Sequence, residues 1–264
     1  MRPVDGYRHV VFDLDGVLYL RDKVIATAPA TVAALRREGK GIAFVTNNSW
    51  SDPEEVASRL TGMGVPARAE EVVTSAGAAA DLAASRAPGA RVFAIGGPGL
   101  RRALEAQGMR ALDEREGADA EVVVAGLDLE LTYSKLRTAC LAIERGALFV
   151  GTNPDASYPT PEGKWPGAGA VLAALAAATG QHPIVAGKPA RPMLELAERL
   201  LGPGSVLLVG DRPDTDVAAA REMGWGVALV LTGVTAASDL VANPWTPDFV
   251  LEDVGGLLGD ATGL

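Results

Sequence analysis

Residues 9–20 read HVVFDLDGVLYL: a valine-centred run leads straight into Asp13 and Asp15, two acidic side chains two positions apart. A short run that is apolar throughout, rather than alternating, is what a strand covered on both faces looks like. Runs of the same kind recur as GIAFVT (41–46), ARVFAI (90–95), AEVVVAGL (120–127), ALFVGT (147–152), HPIVAG (182–187), SVLLVG (205–210), GVALVLTG (226–233) and DFVL (248–251), with alanine-rich helical stretches between them. Strands alternating with helices in this way predict an α/β protein with parallel sheets built from βαβ units.

The 264 residues suffice for one large domain or two smaller ones. Hydrophobic residues make up 48% and charged residues 22%, which fits an ordinary globular chain and excludes a disordered or fibrous one. Ala and Gly carry much of that apolar share, so the helices are expected to present alanine faces to the sheets. A formal net charge of −9 lacks the basic footprint that nucleic acid demands, and a small acidic substrate would need local cations or a metal. The single cysteine, Cys140, cannot form an internal disulfide and reads as core packing. No stretch is apolar enough for a membrane span and the first residues do not resemble a signal peptide, so a cytoplasmic location is expected.

In a strand, side chains two apart share a face, so Asp13 and Asp15 can address one site, and the C-terminal mouth of a parallel strand is where ligands bind. Two carboxylates there can hold a hard cation, or one can attack phosphorus. Taken alone, Asp-x-Asp is equally the composition of a turn or helix cap. Other strand ends narrow the choice. GIAFVT is followed by a cluster of hydroxyl and amide groups, Thr46, Asn47, Asn48 and Ser49, suited to phosphate oxygens or to loop and cap chemistry. SVLLVG is followed by Asp211, Asp214 and Asp216; Asp211 stands closest to the strand and is the better ligand, whereas Asp214 suits a helix cap. Lys188 follows another short apolar run and supplies a counter-charge if it lies near phosphate and aspartates. His9 and His182 lack metal-ligand spacing, and IGGPGLRRAL (95–104) has neither phosphate-loop nor dinucleotide glycine spacing.

Through DLDGV, VTNNS, GKP and GDRPDTD, taken in that order, the chain resembles the haloacid dehalogenase superfamily of phosphohydrolases. TNNS, GTNPD, GKPARPM and LTGVT resemble its NagD-type branch (subfamily IIA), over essentially the whole chain. The resemblance implies a Rossmann-like parallel-sheet core, residues 1–81 and 182–264, with an inserted α/β cap of the C2 type, residues 82–181. It implies Asp13 as nucleophile and Asp15 as the general acid and base. Thr46 and Asn47 would hold phosphate, with Lys188 offsetting its charge. Mg²⁺ would be bound by Asp13, the backbone carbonyl of Asp15 and Asp211, and Asp216 would be the second acid of the fourth motif. In the cap, Asp155, Tyr158 and Lys164 in GTNPDASYPTPEGKWPGAGA (151–170) are the candidates for contact with the leaving group.

The implied function is a Mg²⁺-dependent phosphatase acting through an aspartyl-phosphate on small phosphorylated metabolites: phosphoglycolate, 4-nitrophenyl phosphate, nucleotides, sugar phosphates, glycerol phosphate or pyridoxal phosphate. A phosphotransferase or mutase on the same core and a catalytically idle ligand-binding protein are the rival readings, the second disfavoured because the acids are retained. A homodimer through the cap is a further implication of the resemblance.

Overall fold

The computed structural model describes residues 2–160, 162–240 and 244–259. Its contacts divide the chain into two compact units: Met1–Thr46, Pro53–Val73 and Leu194–Leu264 form the first, Asn47–Asp52 and Thr74–Met193 the second.

The first unit contains strands β1 (His9–Phe12), β2 (Tyr19–Leu20), β3 (Lys23–Val24), β4 (Gly41–Thr46), β5 (Val72–Thr74), β13 (Val206–Gly210), β14 (Gly226–Val230) and β15 (Phe249–Leu251). Six of them form one sheet in the order β15-β14-β13-β1-β4-β5, while β2 and β3 make a separate antiparallel hairpin. β1 is flanked on both sides by parallel partners, and all four of its residues are buried, as a continuous apolar run requires. Helices α1 (Ala28–Arg37) and α2 (Pro53–Gly62) contribute Val32, Leu35 and Leu60 to a core with Val10, Phe12, Leu18, Phe44, Leu207 and Val209. Each such fully buried side chain contributes about 1.5–3 kcal/mol. Phe12 and Phe44 stack with ring centroids 6.0 Å apart. Helices α7 (Pro192–Leu201) and α8 (Ala218–Met223) complete the set.

The second unit has its own sheet, order β12-β9-β8-β6-β7, of strands β6 (Arg91–Ile95), β7 (Arg110–Ala111), β8 (Val122–Ala125), β9 (Leu148–Gly151) and β12 (Ile184–Val185), all parallel. An antiparallel hairpin of β10 (Ser157–Thr160) and β11 (Gly163–Pro166) stands apart from it. Pro161 lies outside the described residues. Helices α3 (Ser75–Arg86), α4 (Pro98–Ala106), α5 (Tyr133–Glu144) and α6 (Ala168–Thr179) belong here. The expected alanine faces are present: Ala76, Ala78, Ala79, Ala80 and Ala83 of α3 and Ala139 and Ala142 of α5 are buried. Cys140 is free and half-buried on α5 against this core, and burial, with Glu144 nearby, pushes its thiol up. Within the second unit α3 packs on α4, and β12 pairs with β9.

Candidate active site

The register of the first sheet gathers the acids. Phe12 pairs with Val209, and the Asp13 N–H carries the ladder one step further, donating to the Val209 carbonyl at 2.8 Å. Asp13 therefore follows β1 level with Gly210, and Asp211 is one residue beyond. Carboxylate oxygens of Asp13, Asp211 and Asp216 all lie within 4.8 Å of one another. Asp211 and Asp216 are buried, at 2% and 1% exposure. Unit charges about 4 Å apart repel by about 4 kcal/mol at an effective dielectric near 20, so such a cluster requires donors or a cation.

Part of that support is built in. Asp216 lies in a single wide helical turn, Pro213–Val217, and its Oδ2 accepts the backbone N–H groups of Asp211 (3.2 Å) and Arg212 (3.1 Å). Asp211 Oδ2 accepts the Val234 N–H at 2.7 Å. Asp214 is different: it pairs with Arg212 at 2.8 Å on the surface. An oxygen-only set of three carboxylates suits a hard divalent cation such as Mg²⁺.

Two glycines make the close approach of Asp211 feasible. A β-carbon on Gly233 would stand 1.9 Å from Asp211 Oδ2, and one on Gly16, whose φ is +83°, 2.6 Å from the same atom. The Thr232 hydroxyl donates to the Gly16 carbonyl at 2.5 Å, tying the segment after β14 to the segment after β1. LTGVT appears in the sequence reading only as a motif of resemblance. Its function as donor and spacer depends on a contact across 23 residues of chain between Asp211 and Val234, and no local pattern encodes that.

Asp15 lies one residue beyond the buried Leu14, is exposed, and forms an isolated bridge with Tyr19. Its carboxyl is held above the usual carboxylate range by desolvation, opposed by the Arg21 backbone N–H and by the charges of Arg59 and Arg21. Asp13 and Asp15 thus occupy distinct settings, one within the carboxylate cluster and one at the β2–β3 hairpin.

The amide and lysine motifs meet in the second unit. Asn47 Oδ1 accepts the Lys188 N–H at 3.0 Å, while Asn47 Nδ2 donates to the Lys188 carbonyl at 3.0 Å and to Asp155 Oδ2 at 2.9 Å. Asn153 Nδ2 donates to the same Asp155 oxygen at 2.8 Å. Lys188 is buried, at 2% exposure, and precedes a cis proline. Ser75 Oγ donates to the Asn47 carbonyl at 2.7 Å, so the loop after β4 is fixed by α3 as well. Both side-chain donors of Asn47 are thereby engaged within the protein. Thr46, buried at the end of β4, directly precedes this network.

Of the three cap candidates, Asp155 belongs to this network, whereas Tyr158 and Lys164 are exposed on the β10–β11 hairpin, with Tyr158 opposite Trp165 and Lys164 opposite Pro159.

Residues 10–110 match a family model described as haloacid dehalogenase-like hydrolase, and residues 185–257 match a second, described as HAD-hydrolase-like. The chain is 37% identical to an acid sugar phosphatase of Staphylococcus saprophyticus over 96% of its own length and 97% of that protein. It is 36% identical to the 5'-nucleotidase YutF of Bacillus subtilis, over 94% of this chain and 96% of that one. Among solved structures it is similar to a glycerol phosphate phosphatase of Mycobacterium tuberculosis in complex with magnesium: 38% identity, TM-score 0.91, covering 97% of this chain and 78% of that one. A thermostable NPPase of Geobacillus stearothermophilus is similar too, at 35% identity and TM-score 0.88, covering 97% and 98% of the two chains.

Proposed function

The chain belongs to the haloacid dehalogenase-like hydrolases, and from that premise we propose that it is a Mg²⁺-dependent phosphomonoesterase. It would hydrolyse small organic phosphate monoesters, such as sugar, nucleotide, glycerol or 4-nitrophenyl phosphates, through an aspartyl-phosphate. What supports the reading most is the gathering of the Asp13, Asp211 and Asp216 carboxylates at the mouths of two adjacent parallel strands.

In this reading a carboxylate oxygen of Asp13 attacks phosphorus, and the bond to the leaving oxygen breaks as Asp15 gives that oxygen a proton. Asp15 then takes a proton from the water that attacks the phosphoryl group on Asp13, and inorganic phosphate departs with Asp13 regenerated. The partial desolvation of Asp15 favours the protonated form that the first half needs. Thr46 binds a phosphate oxygen through its hydroxyl. Because both side-chain donors of Asn47 are engaged by Lys188 and Asp155, its share of phosphate binding falls to its main-chain N–H. Lys188 offsets phosphate charge, and Asp216 keeps Asp211 in place through the backbone turn. Asp13, Asp211 and the Asp15 carbonyl would hold Mg²⁺, which would supply positive charge against the phosphoryl oxygens.

Residues 1–81 and 182–264 form the core in this proposal and 82–181 the cap, with Asp155, Tyr158 and Lys164 as the residues that select the leaving group. The partner is a small phosphorylated metabolite, in the cytoplasm. Among the described residues no helix is long and apolar enough to cross a membrane. A homodimer is part of the reading, and size-exclusion chromatography tests it. The deciding experiment is phosphate release from a panel of phosphomonoesters, with no added acceptor, with and without Mg²⁺, for the wild type and Asp13→Asn. Metal-dependent release abolished by the substitution upholds the proposal; full activity in Asp13→Asn overturns it.

A further inference from the structure

The Asp15 carboxyl faces the backbone N–H of a residue whose own conformation is unusual. Among the described residues, Arg21 is the non-glycine with positive φ, at +56°. A β-carbon disfavours that left-handed region, so the conformation persists only where its surroundings hold it.

Arg59, in the last turn of α2, provides that hold. Its Nη2 donates to the Arg21 carbonyl and, at 3.4 Å, to Asp22 Oδ1. Its guanidinium carbon also stands 4.4 Å from the centroid of the Tyr19 ring, a cation–π contact. Tyr19 is 7% exposed and anchored in the core, and its carbonyl accepts the Gly16 N–H at 2.7 Å. One guanidinium thus grips the β2–β3 turn at residues 19, 21 and 22, immediately after the segment that carries Asp15. Arg59 itself belongs to none of the motifs that the chemistry uses.

We propose that Arg59 is a positioning residue for Asp15: by holding the Arg21 carbonyl and the Tyr19 ring, it fixes the turn so that the Arg21 N–H keeps the Asp15 carboxyl aimed at the leaving oxygen. This rests on the reading of Asp15 as proton donor. Arg59 touches no reacting atom; it sets the direction of a group that does.

A purely structural Arg59 would affect all substrates alike. A positioning residue for the proton donor would not, because 4-nitrophenolate leaves readily without a proton whereas an alkoxide needs one as it departs. The test is kcat/KM, which reports steps through departure of the leaving group, measured on 4-nitrophenyl phosphate and on an alkyl phosphate the wild type turns over. Wild type, Arg59→Ala, Arg59→Lys and Asp15→Asn are compared, each well below its thermal midpoint.

General acid catalysis contributes about 10²–10⁴-fold, and misaiming the donor should forfeit part of it, so Arg59→Ala is expected to lose about tenfold more on the alkyl phosphate than on 4-nitrophenyl phosphate. Arg59→Lys, which keeps the charge without the planar fork, should lose in the same direction by less, and carries the test if Arg59→Ala does not fold. Asp15→Asn should show the largest discrimination. If it does and the Arg59 variants lose equally on both substrates, or not at all, the inference is overturned while the role of Asp15 stands. If Asp15→Asn itself shows no dependence on the leaving group, that role falls and the inference falls with it.

Discussion

Among the described residues two parallel sheets are each flanked by helices, and the residues that follow their strands differ. In the first unit β1 runs into Asp13 and β13 into Asp211; in the second, β6 and β8 run into Gly96 and Gly126 and β9 into Thr152. Both sheets have a C-terminal edge of the kind that gathers ligands. Only the first places a carboxylate cluster there among the described residues, and it does so because adjacent strands end in register, Phe12 against Val209. An α/β sheet provides an edge; the residue types one and two positions past the strands determine what the edge can do.

The largest break in this contrast should come from Asp13→Asn, which keeps the shape and removes the charge. Loss of the nucleophile is expected to cost at least about 10⁴-fold in kcat, read as phosphate release. Next is Gly233→Ala. Its β-carbon would fall 1.9 Å from Asp211 Oδ2; the displacement should cost about 10²-fold in kcat, and the overpacking about 1–3 kcal/mol of stability, checked by steady-state kinetics beside a thermal melt. The same substitution in the second unit should spare turnover. A β-carbon on Gly117 would meet Phe93 at 2.4 Å and Thr138 at 2.7 Å, so Gly117→Ala should lose about 1–3 kcal/mol of stability in denaturant titration with kcat unchanged.

A charge-based prediction concerns the first unit alone. Burial by itself would raise the Glu71 carboxyl, but hydrogen bonds from Arg36 and Arg68 outweigh it and hold the group below its usual 4.5. A depressed carboxyl contributes stability that is fully present above its unfolded value and is lost as pH falls through the folded one. Melting temperatures of wild type and Glu71→Gln should therefore differ at pH 7 and converge as pH drops well below 4.5. The smallest effect is expected for Lys164→Ala on the exposed β11 strand, within about 0.5 kcal/mol by denaturant titration.

Much of the fold was legible because burial on both faces leaves a plain trace: HVVF, GIAFVT and SVLLVG are strands, and GIAFVT and SVLLVG run to the residues where the quoted stretches end. The acids were legible as types at strand ends, and their roles only through resemblance to a family. Side-chain commitments depend on tertiary contacts and were not legible. Asn47 reads as a phosphate donor until both of its N–H groups are found on Lys188 and Asp155. Arg59 reads as one more charge on a helix until its guanidinium is found over Tyr19.

The lone thiol of Cys140 gives the second unit a reporter of its own. A half-buried thiol held in its less reactive protonated form reacts with an alkylating agent chiefly when α5 opens away from its core. The chain has no other cysteine, so the labelling rate would time the local breathing of one unit without a signal from the other. Followed alongside turnover, that clock would show whether the sheet without acids moves on its own schedule.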